Sequence, residues 1–407
     1  MPVMTKKMRH IAFFLHDLEG RGAHTRVVAL ANEFAAQGHQ IDLLVVRPEG
    51  PLKDQILPRV RLVPVGGART YLPWVRKRRK RQTIAATPDI ARYLKRERPD
   101  IIMSGGNHVN AATALAHRRA GVREIGLVLR ASTHLSGAEH RPRLARWLTT
   151  AAARRLYPDA DAIVAVSNSV AHDLASLVPL PPDRLITIPN PVIGPDFEAK
   201  RRQPCDLPWF APGEPPVILG AGKLVPQKDF ATLLRAFALL RARRRARLVI
   251  LGDGPERSGL EALAAQLGVA ADIALPGFVE NPFPCMAAAS VFVLSSAWEG
   301  LPGVLIEAMA CGCPVVSTDC PGGSREILLD GALGPLTPVG HAEQLADAIE
   351  HVLDAPPART ALQARVAAFA VPRAADQYLA AFQRTIAARH GRIDTTPHPL
   401  DRATTPS

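Results

Sequence analysis

The sequence predicts an α/β protein made of two Rossmann-like, doubly wound domains facing a central cleft. Three observations predict it. Short apolar runs alternate with helix-length amphipathic stretches along nearly the whole chain. The alternation is interrupted once, by a polar stretch from Glu198 to Pro216 rich in Pro, Lys and Arg, and then resumes. And 407 residues exceed what a single core ordinarily holds.

In the first half, strands are predicted at Ile11–Leu15, Ile41–Val46, Asp100–Met103, Ile125–Leu129, Ala162–Val166 and Leu185–Ile188. Helical periodicity falls between them, at Thr25–Gln37, Ile90–Glu97, Asn110–Arg119, Arg143–Tyr157 and Val170–Leu177. After the linker come strands at Val217–Ala221, Leu248–Leu251, Ile273–Leu275, Val291–Ser295 and Pro314–Thr318. Helices are predicted at Phe230–Arg241, Glu256–Leu267, Pro282–Ala288 and Val304–Cys311, and two more follow Gly340. The expected domains are 1–195, which would bind the acceptor of a transfer reaction, and 196–372, which would bind its donor. A helix at 373–390 is expected to cross back to the first domain, and 391–407, rich in Thr and Pro, is expected to be a disordered tail.

Composition narrows the class. With 47% apolar and 21% charged residues the chain reads as soluble and globular, and no apolar run approaches the roughly 18 residues needed to span a bilayer. Lys6, Lys7 and Arg9 precede the apolar run Ile11–Leu15, but His16 and Asp17 cut it short, so the run reads as a first strand rather than a secretory signal. A cytoplasmic protein is expected, either free or peripheral on the inner face of a membrane. Five cysteines fit reduced thiols. Cys311, Cys313 and Cys320 lack a second group of ligands and read as small buried residues rather than a metal site. The net charge of +13 belongs wholly to residues 1–200, with 31 Lys and Arg against 17 Asp and Glu. That half would favour an anionic partner.

The most informative stretch is Phe292–Pro321, FVLSSAWEGLPGVLIEAMACGCPVVSTDCP. A buried strand runs into the turn Glu299-Gly300-Leu301-Pro302-Gly303 and then a helix. The unsatisfied amides and positive dipole end of that helix make an anion site. Glu307, about one turn inside, could accept hydrogen bonds from ribose hydroxyls, and Glu299 could reach a sugar beyond the phosphates. Both could equally be solvated surface carboxylates. Lys223 and Lys228, on the Gly222-bearing loop after Val217–Ala221, could turn to one pair of phosphates and stabilise a leaving diphosphate as its charge develops. Their spacing alone would also suit ordinary surface lysines. No Asp-x-Asp cluster, which a metal would need, accompanies these two segments, the Asp159-Ala160-Asp161 of the chain falling in the other half, so no cofactor and no metal is expected.

These segments resemble the donor domain of retaining glycosyltransferase family four, of the GT-B fold. The Glu-x7-Glu spacing of Glu299 and Glu307, EAMACGCPVV and TDCPGGSREIL carry the resemblance, with Gly252-Asp253-Gly254-Pro255-Glu256 and Pro276-Gly277-Phe278-Val279 beside them. In the first half Gly20-Arg21-Gly22-Ala23-His24 is similar to the family's glycine-rich first loop, and Val166–Val192 to its VSxxVAxDL…IPNPV passage. The details look most like lipopolysaccharide-core and polysaccharide transferases.

The resemblance implies roles. Lys223 and Lys228 would hold the diphosphate, Glu307 the ribose and Glu299 the transferred sugar. Backbone near Phe278 and Val279 would meet the base. Leu301, Pro302 and Gly303 would line the phosphate, and Gly22 would close the pocket from the other domain. His134 would line the acceptor side, with His24 and Arg130 as further acceptor-side candidates. Transfer would retain anomeric configuration, the leaving diphosphate helping to deprotonate the acceptor hydroxyl. Three positions depart from the family's pattern: Lys223 stands where Arg is usual, which loses the bidentate fork; His24 stands where Glu is frequent; and Ser290 replaces a common Asp.

The expected function is therefore transfer of a sugar from a nucleoside-diphosphate sugar, on family frequency a UDP-sugar. The acceptor would be a glycan or lipid-linked molecule in lipopolysaccharide or polysaccharide synthesis. A nucleotide-sugar epimerase on the same fold is the alternative enzyme, and an inactive membrane-peripheral nucleotide-sugar-binding protein the alternative from another class. A dinucleotide fingerprint starting at Gly20 would need glycine at Thr25. The basic run within Tyr71–Gln82 and the Trp147-bearing stretch Arg141–Arg155 suit an anionic membrane surface, or a solvated charge run. No nucleic-acid partner is expected, because no binding module accompanies the charge.

Overall fold

The structure, a computed structural model, describes residues 8–20, 22–72, 75, 78–136, 143–211 and 213–394. The chain divides into two compact units. The first runs to Ala165 and takes in Ala171–Ile188 and the segment from Ala374 onward; the second comprises Val166–Val170 and Pro189–Arg373.

In the first unit the strands are β1 (His10–Asp17), β2 (Gln40–Arg47), β3 (Val60–Pro64), β4 (Ile101–Ser104), β5 (Gly126–Ala131), β6 (Ala162–Ala165) and β7 (Leu185–Thr187). All pair in parallel, in the order β3-β2-β1-β4-β5-β6-β7. Helices on both faces bury the central strands, which is why β1 reads Ile-Ala-Phe-Phe-Leu without a polar alternate. Helix Val371–Asp394 adds Ala374, Tyr378, Leu379, Phe382 and Ile386 to this core. Arg389 ties it down, donating from Nε to Asp161 Oδ2 at 2.6 Å and from Nη1 to the Arg123 carbonyl at 2.6 Å.

The second unit holds β8 (Val217–Ala221), β9 (Arg247–Leu251), β10 (Ile273–Gly277), β11 (Val291–Leu294), β12 (Val315–Thr318) and β13 (Leu336–Thr337). These are again parallel, in the order β10-β9-β8-β11-β12-β13. Its core is built chiefly by helix Phe230–Arg243, through Leu233, Leu234, Phe237 and Leu240, against Ile218, Leu248, Ile250 and Val293. The two doubly wound sheets expected from the alternation are both present.

Four expectations need correction. Strands β3 and β13 escape the periodicity because each is a short, half-buried edge. Arg61 explains how β3 is held: its Nε donates to Asp42 Oδ1 at 2.7 Å, and Asp42, wholly buried in β2, also meets His10 Nε2 at 2.8 Å and Tyr93 Oη. Part of the basic run within Tyr71–Gln82, for which no element was expected, is helix Arg79–Ala85, with Gln82 and Thr83 buried; Trp74, Arg76 and Lys77 of that run, and Arg141, lie outside the described residues. The last helix continues to Asp394, four residues into the expected tail, whose remainder, 395–407, also lies outside them. Cys285, Cys311, Cys313 and Cys320 are buried and unlinked, and burial pushes the Cys320 thiol up to about 11.

Candidate functional site

In a doubly wound sheet, ligands collect beyond the C-terminal strand ends where the strand order reverses. In the second unit that reversal lies between β8 and β11. The loop after β8 carries Gly222, Lys223 and Lys228, and the turn after β11 carries Glu299 to Gly303, so the topology itself brings the two predicted constellations to one place.

Lys228 closes the short 3-10 turn Pro226–Lys228. Its Nζ lies 2.6 Å from Glu299 Oε1, and Ser296 Oγ donates to the same oxygen at 2.8 Å. Glu299 is only 7% exposed, so this ion pair sits largely out of water. The lysine stem crosses Gly222, where a β-carbon would stand 3.1 Å from Lys228 Cε. Gln227 clamps the turn: its carbonyl accepts from Ala297 N at 2.8 Å, and its Nε2 donates to the Trp298 carbonyl at 2.9 Å. Lys223 is exposed and pairs with nothing among the described residues.

The other side of the turn is pinned by the loop after β12. Glu299 N donates to the Pro321 carbonyl at 2.9 Å and Gly323 N to the Gly300 carbonyl at 2.8 Å. Glycine is required at 322, and at 323 a side chain would have to move Leu301. A β-carbon on Gly322, whose φ is +145°, would lie 2.8 Å from the Glu299 carbonyl oxygen, and one on Gly323 2.4 Å from Leu301 Cδ1. Ser167 Oγ also donates to the Gly300 carbonyl, at 3.2 Å, and Asn190 Nδ2 to the Leu301 carbonyl, at 3.2 Å. Glu326 accepts the amides of Asn168 and Ser169, at 3.0 and 2.8 Å. A trans peptide points its N–H opposite its C=O, so holding the Gly300 carbonyl inward aims the Leu301 amide outward.

Helix Gly303–Ala310 begins next, with Pro302 at its N-cap and no side chain capping it. Pro302 has no N–H to offer; the amides of Gly303 and Val304 have no partner among the described residues and carry the positive end of the dipole. Leu305, Ile306, Ala308 and Met309 are buried, which leaves Glu307, one turn in, half-buried on the face of Gly303. At the end of β10, Phe278 is 80% exposed, with Val279 half-buried beside it. So large an exposed ring at a strand's C-terminal end is a ready platform for a planar group.

Backbone packing seats these loops. Gly222 N donates to the Leu251 carbonyl at 2.9 Å, Leu224 N to the Asp253 carbonyl at 3.0 Å and Gly252 N to the Gly277 carbonyl at 2.7 Å. The three loops after β8, β9 and β10 thus interlock through main chain, and Arg257 adds a side-chain tie, donating to the Leu275 carbonyl at 2.9 Å.

The first unit has its own reversal between β1 and β4. Gly22 opens helix Gly22–Ala36, and a β-carbon there would meet nothing within 4 Å, so packing does not demand glycine. His24 is buried, its Nδ1 2.9 Å from Asp17 Oδ1. Arg79 Nη2 reaches Asp17 Oδ2 at 3.0 Å, His24 Nε2 at 3.1 Å and His108 Nε2 at 3.3 Å. Arg130 is fully buried, donating from Nη1 to the Gly105 carbonyl at 3.1 Å; the sequence reading set it on the acceptor side, and the structure sets it within the core. His134 is half-buried in the loop after β5, which Asn107 Oδ1 anchors at Ser132 N, 2.7 Å away, and Asp173 Oδ2 at the Leu135 amide.

This cluster fixes a pH dependence. Burial, then the charge of Arg79, pushes the His16 ring down to about 4 and the His108 ring to about 3. Burial alone would raise Asp17, but the hydrogen bond and charge of His24 and the charge of Arg79 outweigh it and hold that carboxyl well below its ordinary range. Unfolded histidines titrate near 6.5, so below that pH the unfolded chain takes up protons that folded His16 and His108 refuse. Stability is therefore expected to be full above pH 6.5 and to fall by a few kcal/mol on the way to pH 4. Urea midpoints across that range check this, and the double variant His16→Gln/His108→Gln should flatten the curve.

Ser167, Asn190, Gln227, Ser296 and the pair Gly322–Gly323 are site-building residues the sequence reading did not single out, and only the segments holding them were noticed. Comparison with known proteins gives a consistent result. Residues 208–368 match the family described as "Glycosyl transferases group 1", and residues 20–193 that described as "Glycosyltransferase Family 4". The chain is 39% identical over 154 residues to the "Lipopolysaccharide core biosynthesis glycosyltransferase LpsE" of Rhizobium meliloti, covering 38% of this chain and 44% of that protein. It is 32% identical over 199 residues to the "N-acetylgalactosamine-N,N'-diacetylbacillosaminyl-diphospho-undecaprenol 4-alpha-N-acetylgalactosaminyltransferase" of Campylobacter jejuni, covering 49% and 52%. The matches thus span about half the length of these curated relatives. Among solved structures, HepE of Anabaena in complex with UDP superposes with a TM-score of 0.70 at 19% identity, covering 92% of this chain and 100% of that one. That likeness speaks for the fold.

Proposed function

The chain belongs to glycosyltransferase family four, with one family match on each half, and from that premise we propose that it transfers a sugar from a nucleoside-diphosphate sugar to a hydroxyl acceptor with retention of configuration. The observation that carries this reading is the Lys228–Glu299 ion pair at the strand-order reversal of the second unit, beside a helix end with open amides. An ammonium has three protons; with one on Glu299, two remain for a phosphate. The amides of Gly303 and Val304 add neutral donors, and exposed Lys223 adds a second cation. Charge developing on the leaving diphosphate would meet this fixed set, so the stabilisation is larger in the transition state than in the ground state.

Glu307 would hold the ribose, Phe278 and Val279 the base, and Glu299 a hydroxyl of the transferred sugar through its second oxygen. The leaving diphosphate would take the acceptor proton on the same face. His134 is the acceptor-side candidate that remains half-exposed. UDP is the proposed nucleotide, supported by the UDP held in HepE. A glycan or lipid-linked acceptor in lipopolysaccharide or polysaccharide synthesis is proposed from the names of the two relatives. Because the lysines and amides supply the positive charge, turnover is expected to proceed unchanged in EDTA.

Thermal shift against a panel of nucleoside diphosphates tests the donor site. A cognate diphosphate at a hundredfold excess over its dissociation constant should add about 2.7 kcal/mol. Glu307→Ala should weaken that binding about tenfold or more, through lost ribose contacts. If no nucleoside diphosphate raises the melting temperature, the donor reading fails.

A further inference from the structure

Among the described residues, four that are not glycine have φ in the left-handed region: Arg98, Asp229, Leu329 and Asp330. Arg98 ends helix Thr87–Glu97, and Leu329 and Asp330 lie in a turn. Asp229 is different, because it directly follows Lys228 and caps helix Phe230–Arg243. Its φ and ψ are 44° and 47°. In a residue with a β-carbon this conformation crowds the backbone, and aspartate tolerates it through local hydrogen bonds. A residue that only caps a helix ordinarily sits in the extended region. The left-handed turn is therefore more than capping requires, and strain of this kind gathers where a site needs its geometry fixed.

The surrounding bonds show what the turn does. The Asp229 carboxylate holds Thr232, accepting from Oγ1 at 2.7 Å and from N at 3.3 Å. Thr232 is itself buried in the helix, so the cap is fastened to the core. On the other side, the peptide joining Lys228 to Asp229 is held at both of its polar groups. Asp229 N donates to the Pro226 carbonyl at 3.3 Å, and the Lys228 carbonyl accepts from Ser295 Oγ at 2.8 Å. The N–Cα bond of Asp229 is thus the joint between a fixed helix and the 3-10 turn Pro226–Lys228. A change of φ there breaks the Ser295 bond and swings Lys228 relative to the helix. Its Nζ would then leave Glu299 Oε1, 2.6 Å away in the folded protein.

We infer that Asp229 is a positioning residue for the transfer reaction: its left-handed turn, held by Thr232, aims the Lys228 ammonium at the leaving diphosphate. This rests on the reading of Lys228 as the leaving-group cation and names the residue that keeps it in place. Asp229 acts through Lys228, with no contact of its own to the donor.

Asp229→Ala and Asp229→Gly separate positioning from capping. Both lose the carboxylate, so both are expected to melt below wild type, but only glycine adopts the left-handed turn freely. Turnover is measured as UDP or GDP released from a panel of UDP- and GDP-sugars, in wild type, both variants and Lys228→Ala. Asp229→Ala is expected to lower kcat about a hundredfold, the scale of misplacing a reacting group by an ångström, with the donor KM within about threefold. Asp229→Gly is expected to recover kcat to within about fivefold of wild type despite its lower melting temperature. Adding Asp229→Ala to Lys228→Ala should lower kcat by less than about threefold more, since the lysine it aims is gone. Equal kcat in the alanine and glycine variants, or a full further hundredfold loss in the double variant, would overturn this proposal and leave the transferase reading intact. A Lys228→Ala chain as active as wild type, or a wild type that releases no diphosphate, would instead sink the reading of Lys228 and this proposal with it.

Discussion

Lys228→Ala is expected to lower turnover about a thousandfold, the scale found when one preorganised charge stabiliser is removed from a transition state. The loss should fall on kcat more than on donor binding, because the amides of Gly303 and Val304 remain for the ground-state phosphate. A second consequence follows from the ion pair. Glu299 is 7% exposed and shares Oε1 between Lys228 and Ser296. Removing the ammonium leaves the buried carboxylate with neutral donors such as Ser296 Oγ and Gln227 Nε2 but without that cation, at a cost of about 3 kcal/mol. The double variant Lys228→Ala/Glu299→Gln should recover much of that stability and none of the activity. Steady-state kinetics with a nucleoside-diphosphate release assay, alongside thermal melts, separates the two effects. Turnover within tenfold of wild type in Lys228→Ala would rule out the lysine as the leaving-group cation.

Gly252→Ala is expected to cost at least as much stability as Lys228→Ala. The residue has φ +136°, and a β-carbon would lie 2.0 Å from the Gly222 carbonyl oxygen and 2.9 Å from its carbonyl carbon. Neither neighbour is the movable end of a side chain, so two loops would have to part. The expected cost is about 3 kcal/mol or more. It should appear as a lower melting temperature and as lost nucleotide-induced stabilisation, because Gly222 and Lys228 ride on the displaced loop. Gly22→Ala is the contrast. Its β-carbon would meet nothing within 4 Å, so the variant should melt like wild type. Any activity it loses would reflect a ligand needing the space.

Much of the architecture was legible because parallel strands buried on both faces must be apolar throughout, and the helices between them must carry a 3.6-residue stripe. β1, β8 and β11 are of this kind. β3 was not, because an edge strand is only half covered, and it is held by a bond from Arg61 to Asp42 that no local pattern announces. The site was legible in part. Glu299, Glu307, Lys223 and Lys228 stand in segments whose strand–turn–helix pattern announces an anion site. Ser167 and Asn190 are far from that turn in sequence, and their hydrogen bonds to the Gly300 and Leu301 carbonyls exist only once the chain has returned. Arg130, an acceptor-side candidate on the resemblance, is fully buried and donates to the Gly105 carbonyl, a placement that its local sequence does not announce.

Sequence alone determined the two doubly wound sheets, the family likeness and the residue types at the candidate site, since these depend on periodicity and on chemistry carried within contiguous segments. Tertiary structure alone decided that Lys228 and Glu299 form one buried pair, that position 252 leaves no room for a β-carbon, and that Arg79 turns inward while Trp147 faces water. Each of those outcomes is set by which distant backbone happens to lie within a few ångströms, a quantity that has no local signature along the chain.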